Sequence, residues 1–92
     1  MVGKSKWYLF EITGRQYALD IMEVLFEKPK RFSELTSACP IEKTRSKRLR
    51  ELEEANLVEA ESQKVKKRNF IFYKLTKSGE KLIKYLINFK LE

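Results

Sequence analysis

This sequence predicts a mostly helical α+β fold of order α-α-α-β-β-α, and three observations carry that expectation. Apolar residues recur at helical spacing in Ala18, Ile21, Met22 and Leu25, and again between Leu82 and Phe89. A short helix, a Cys39-Pro40 break and a basic amphipathic helix follow one another between Ser33 and Asn56. Two β-prone runs then flank a cationic turn between Leu57 and Leu75. That succession, with a short extended segment before the second helix, is the layout of a winged helix-turn-helix.

Bulk properties agree. With 92 residues there is room for one hydrophobic core, so residues 1–92 are expected to form a single winged-helix domain. Residues 12–76 would hold the helix-turn-helix and wing, leaving 1–12 and 77–92 as ends. A 36% share of charged residues argues for a soluble chain, and a net charge of +7 favours an acidic partner, nucleic acid ahead of anionic membrane. No apolar run approaches the ~20 residues needed to span a bilayer. The segment Met1–Gly14 is too interrupted by charge to be a secretory signal, so a cytoplasmic location is expected. There is no His and one Cys, Cys39, which excludes disulfide frameworks, zinc fingers and Cys/His nucleophile pairs within one chain. None of the glycines falls in a phosphate-cradling pattern. No catalytic residue, metal or cofactor is therefore expected. Cys39 reads as a buried, inert thiol, since redox sensing would need an exposed, acidified one.

Taken in order, Thr13-Gly14-Arg15-Gln16 fits a capping box, with Ile12 and Tyr17 placed as its hydrophobic staple. The spacing then predicts a helix over residues 14–27, ended by Pro29. Residues 30–32 are a short extended piece. Ser33 is a natural N-cap for a helix over 34–38, with Leu35 facing inward. A third helix is expected over 41–56, with Leu49, Leu52 and Asn56 on its buried side and Asn56 in the left-handed slot that often closes a helix. Residues 57–63 alternate as a strand, 64–69 form a charged turn, and 69–75 return as a second strand. Thr76 caps the last helix, to about Phe89.

Nine of the twenty Lys and Arg lie in Lys43–Arg50 or Lys64–Arg68. On a helical wheel Lys43, Lys47 and Arg50 point away from the buried side of the third helix, with Thr44 and Arg48 on the flanks. Cations at the start of a helix oppose its dipole, as a helix that meets anions there would. Glu51, Glu53 and Glu54 would repel phosphate and limit insertion. Arg45 falls near the buried side, where it would either pair with an acid such as Glu34 or reach a phosphate. The turn KVKKR has four cations and no acid, so like charges crowd at a tip that gains no burial. Double-stranded DNA is the expected partner, contacted by Ser33, Lys43, Thr44, Arg45, Ser46, Lys47, Arg48 and Arg50 and by wing residues Lys64, Lys66, Lys67 and Arg68. On the return strand Ile71, Tyr73 and Leu75 would face the core. Phe70 and Phe72 would face away, covered by Trp7 and Phe10 or by another subunit. The last helix has apolar residues at 82, 83, 85, 86, 87, 89 and 91, wider than one stripe. A homodimer through Trp7, Phe10, Leu82, Tyr85, Leu86 and Phe89 would use that surplus; packing of the ends within one chain is the other reading.

The segments GRQYALDIMEVLFEKPKRFSEL, SKRLRELEEANLVE and YKLTKSG resemble the HxlR-type branch of winged-helix transcription regulators, and more loosely MarR/ArsR-like proteins, over residues 12–86. The resemblance implies dimeric, operator-binding regulators whose third helix and wing contact DNA, which maps onto Lys43, Thr44, Ser46, Lys47, Arg48 and the wing cations. Two features depart from that pattern: the short Cys39-Pro40-Ile41 turn, and Arg45 at a position usually apolar. A winged-helix protein-interaction subunit of a transcription or replication assembly, and a non-specific architectural DNA protein, are the competing readings.

Overall fold

A computed structural model of the protein describes residues 7–91; the expectations that fall on residues 1–6 lie outside the described residues, as does the side chain of Leu91. Six elements of regular helix or long strand are joined by one short strand and one 3-10 turn. Helix α1 spans Tyr8–Thr13, α2 Ala18–Glu27, strand β1 Lys30–Arg31 and a 3-10 helix Phe32–Leu35. Helix α3 spans Glu42–Glu54, β2 Val58–Val65, β3 Arg68–Leu75 and α4 Lys77–Leu91. The sheet is antiparallel in the order β1-β3-β2. This is the α+β, mostly helical winged-helix fold that the sequence predicts.

The N-terminal half departs from the expectation first at Thr13. Thr13 does not start a helix; it ends one. Its hydroxyl donates to the Leu9 carbonyl at 2.7 Å, the back-bonding pattern of a helix interior. Residues 14–17 are a linker, closed by Tyr17 in the left-handed conformation at φ 71° before α2 begins. The Thr-x-x-Gln spacing suits a cap, but the aromatic segment before it was already helical. The stripe of α2 is as expected: Ala18, Ile21, Met22 and Leu25 are all buried. Lys28 is extended ahead of Pro29 and ends the helix.

The second helix is shorter than expected. Ser33 lies inside a single 3-10 turn, and the Arg31 amide ahead of it donates to Glu34 Oε1 at 2.8 Å. The Leu35 carbonyl accepts from both Ala38 and Cys39, and Thr36 returns its hydroxyl to Ser33. Pro40, by restricting Cys39, stops the chain from continuing as a helix beyond this point.

Helix α3 closes as a Schellman motif. Asn56 takes φ 60°, the Leu57 amide donates to Leu52 O at 2.9 Å and the Asn56 amide to Glu53 O at 3.0 Å. The left-handed expectation for Asn56 is met, but its side chain is exposed rather than buried; Leu57 takes the buried place. That corner seats α4. Thr76 donates its hydroxyl to Asn56 O at 2.7 Å and its amide to Leu57 O, and accepts from the Gly79 amide as the cap of α4. A Cβ on Gly79 would lie 2.1 Å from the Leu57 carbonyl oxygen, so only glycine lets the two backbones approach this closely. Gly79→Ala is expected to lower stability by about 2 kcal/mol, as overpacking against rigid backbone does; a thermal melt checks it, and an unchanged midpoint would refute the tight seat.

The core is one cluster drawn from every long element, including Ile12, Met22, Leu35, Leu49, Leu52, Leu57, Val58, Leu75 and Ile83. No helix among the described residues is long and apolar enough to cross a membrane.

Candidate nucleic-acid interface

Helix α3 is amphipathic about a definite axis. Arg45, Leu49 and Leu52 are its buried residues, at a spacing that keeps them on one side. On the opposite side Lys43, Ser46, Lys47 and Arg50, at i, i+3, i+4 and i+7, line one open groove with Glu42 and Phe32. None of these four has an ion pair or side-chain hydrogen bond among the described residues. The N-cap, Ile41, has no side chain able to cap, so the first amides of α3 are not claimed by a capping group. Cationic tips and unclaimed amides at the same end make this groove an anion-accepting surface.

Two expected members of that surface are elsewhere. Arg45 is 4% exposed. Its Nε donates to the Cys39 carbonyl at 2.8 Å, its terminal nitrogens face the Phe32 and Pro40 carbonyls at 3.5 Å, and its guanidinium lies 4.6 Å from the Phe32 ring centroid. It neither reaches outward nor pairs with Glu34; it donates to the Cys39 and Pro40 carbonyls of the turn ahead of α3 and to the Phe32 carbonyl of the 3-10 helix. Arg48 is also taken. Its Nε donates to Gln16 O at 2.8 Å and its Nη1 to Glu51 at 3.2 Å, and Glu51 in turn holds Arg15 at 2.6 Å. Glu51 is therefore a clasp between α3 and the α1–α2 linker, not a free acid that repels phosphate. The wheel places a residue on a flank; it does not show which neighbour stands there. Thr44 is half-buried, and Ser33 is exposed on the 3-10 helix, outside the α3 groove.

The wing is longer than expected and its turn tighter. Lys64 and Arg68 belong to the strands, paired with Asn69 and Val65. Only Lys66 and Lys67 form the turn, both in the left-handed region at φ 50° and 68°. Two such residues define a type I′ hairpin, where Asn-Gly is favoured and lysine is strained. The strand face is also corrected. Leu75 is buried as expected, with its partner Val58, but Ile71 is 51% exposed because the hairpin projects past the core. On the other face Arg31 lies over Phe70, at 4.9 Å, a contact the sequence did not suggest. The sequence reading missed Arg31 and Phe32; the basic run Lys28, Lys30, Arg31 was the available signal.

Trp7 and Phe10 contact each other at 5.7 Å between rings and are more than half exposed, as are Tyr85 and Phe89. Leu82 packs on the core and Leu86 lines a groove between α2 and α4. Helix α1 packs chiefly on α2 and α3, and α4 on α2 and β3. Cys39 is fully buried, with its Sγ 3.6 Å from the Ile41 carbonyl. No cluster of metal-ligating residues occurs among the described residues.

Compared with known families, residues 12–90 match the model of the HxlR-like helix-turn-helix. The chain belongs to that family. This HxlR-like chain is similar to the reduced form of the transcriptional regulator YodB from B. subtilis, at 28% identity and a TM-score of 0.82, over 99% of this chain and 90% of that one. It is similar to a transcriptional regulator of the MarR family from Enterococcus faecalis V583, at 26% identity and TM-score 0.75, over 97% and 84%. It is similar also to the transcriptional repressor BigR from Xylella fastidiosa, at 26% identity and TM-score 0.73, over 88% and 78%. No curated protein matches the sequence significantly. The HxlR-like chain is thus homologous to transcription regulators of the HxlR/MarR winged-helix type, a family of regulators and not of enzymes.

Proposed function

We propose that this protein is a sequence-preferring, duplex-DNA-binding transcription regulator that acts in the cytoplasm as a homodimer. In this reading α3 enters the major groove and presents Lys43, Ser46, Lys47 and Arg50 to bases and flanking phosphates. Lys66, Lys67 and Arg68 of the wing meet the backbone or the minor groove. The observation that carries the reading is the open groove of α3, where Lys43, Ser46, Lys47 and Arg50 lie side by side with no partner among the described residues. Such a row gains nothing in the free protein, while each cation that neutralises a phosphate releases a counterion. Selection of bound sequences from a random duplex pool, followed by gel-shift titration, tests it. No duplex binding at low salt would overturn it in favour of a protein-interaction subunit; equal affinity for selected and random duplexes would leave only an architectural role.

The strained wing turn supports the same reading. Lysines at two left-handed positions cost stability that Asn-Gly would restore. The double change Lys66→Asn, Lys67→Gly is expected to raise stability by about 1 kcal/mol, roughly 4–8 °C in melting temperature. It should also weaken binding to all sequences and reduce the slope of log affinity against log salt by about 2. A stabilised protein with an unaltered slope would remove the wing from the interface.

The exposed aromatic residues of α1 and α4 suit a two-fold contact that sets two reading helices about one DNA turn, ~34 Å, apart. Tyr85→Glu with Phe89→Glu is expected to yield a folded monomer with weakened operator binding; sedimentation that finds the variant unchanged in mass would refute the role of α4.

A further inference from the structure

We propose that Arg31 is a third contact to the DNA backbone, set between helix α3 and the wing, and that the Glu34 carboxylate stands in for the phosphate until the duplex arrives. This rests on the DNA-binding reading above.

Arg31 is placed for it at the junction where β1 ends and the 3-10 helix begins. Phe32 borders the groove of Lys43, Lys47 and Arg50, whereas Arg31 borders a cleft of about 440 Å³ that it shares with Glu34, Lys66, Arg68 and Phe70. Two consecutive residues therefore separate the two cationic surfaces, and a duplex lying across both passes over this segment. Lys28 and Lys30 add charge beside it.

The guanidinium is held ready rather than consumed. Its Cζ lies over the Phe70 ring, 4.9 Å from the centroid, which restrains the side chain and lowers the further entropic cost of binding. Its Nε is 3.8 Å from Glu34 Oε1, with the two side chains 42% and 43% exposed, so the ion pair is long and solvent-screened. Neither terminal nitrogen has a hydrogen-bond or ion-pair partner among the described residues. A phosphate would take both in a bidentate fork, a stronger interaction than the one it replaces.

Glu34 can release the guanidinium without losing its own place. Its Oε1 accepts the Arg31 amide at 2.8 Å, a bond that closes the 3-10 turn and does not involve the guanidinium. That bond first, and then the charges of Arg31, Lys30 and Lys28, hold the Glu34 carboxyl below its ordinary value. At neutral pH it is a full negative charge, able to neutralise the arginine in the free protein and to oppose any anion that replaces it.

The test is an anisotropy titration of a duplex drawn from the random-pool selection, repeated over a salt series, for the wild type and for Arg31→Ala, Arg31→Lys and Glu34→Gln. Arg31→Ala should weaken binding about tenfold for every sequence and reduce the salt slope by about 1. Arg31→Lys should restore the slope with part of the affinity, which a purely structural role on Phe70 would not do. Glu34→Gln should strengthen binding. A wild-type slope in Arg31→Ala, or a lost slope that Arg31→Lys does not restore, overturns the assignment while the regulator reading stands. A wild-type protein that binds no duplex overturns both.

Discussion

Lys47→Glu is expected to lower affinity for the selected operator by more than ~100-fold while leaving the fold intact. The position is exposed, lies mid-row in the α3 groove and has no partner among the described residues, so the free protein loses nothing. At the interface the change acts twice. It removes a direct contact of about 1–3 kcal/mol, and it sets a carboxylate against bases and phosphates, a like-charge approach of about the same size or larger. Random duplex should lose less, because non-specific binding rests on many cations rather than one. Gel-shift titrations of operator and random duplex give the ratio directly. An operator affinity within a few-fold of wild type would show that α3 does not enter the groove. Arg48, which the family resemblance groups with Lys47, is expected to behave otherwise: its loss should act on stability, because its guanidinium holds Gln16 and Glu51.

Arg45→Met is expected to be the most damaging single change to stability among the basic residues. Methionine keeps the apolar stem and loses the donors, leaving the Cys39 carbonyl, and the more distant Phe32 and Pro40 carbonyls, without their partner. A charged hydrogen bond lost in a buried site costs about 2–3 kcal/mol, a large part of the roughly 5–15 kcal/mol that holds a small domain folded. The melting temperature should fall by about 10–20 °C. The effect reaches function as well, because the Cys39 and Pro40 carbonyls belong to the turn that sets the start of α3. Arg45→Lys keeps the charge but lacks the planar fork and the stack on Phe32, and should recover only part of the loss. A melt of Arg45→Met that matches the wild type would show that the turn is held by its hydrophobic neighbours alone.

Both predictions concern basic residues of one helix, and their roles differ because of the neighbours each side chain meets. Lys43, Lys47 and Arg50 are legible in the sequence, since helical periodicity sends them opposite Leu49 and Leu52. Arg45 and Arg48 are not. Whether a flanking arginine meets water, a carbonyl of Phe32 or the carbonyl of Gln16 depends on contacts between segments, and periodicity carries no such information. Glu51 is the same case: its helix-end position suggested repulsion, and its pairing with Arg15 turned it into a clasp.

The fold divides along the same line. Local chemistry decided the stripe of α2, the stop at Pro29, the left-handed Asn56, the Thr76 cap and the cationic hairpin, since each depends on a residue's own backbone preference or on a partner within a few positions. Long-range packing decided the rest. It laid Arg31 over Phe70 and carried the Arg48 guanidinium to the Gln16 carbonyl. It also brought Gly79 against the Leu57 carbonyl, which a sequence can register only as a glycine. Short-range rules are written in adjacent residues; a burial, a stack or a shared carbonyl exists only once distant segments meet.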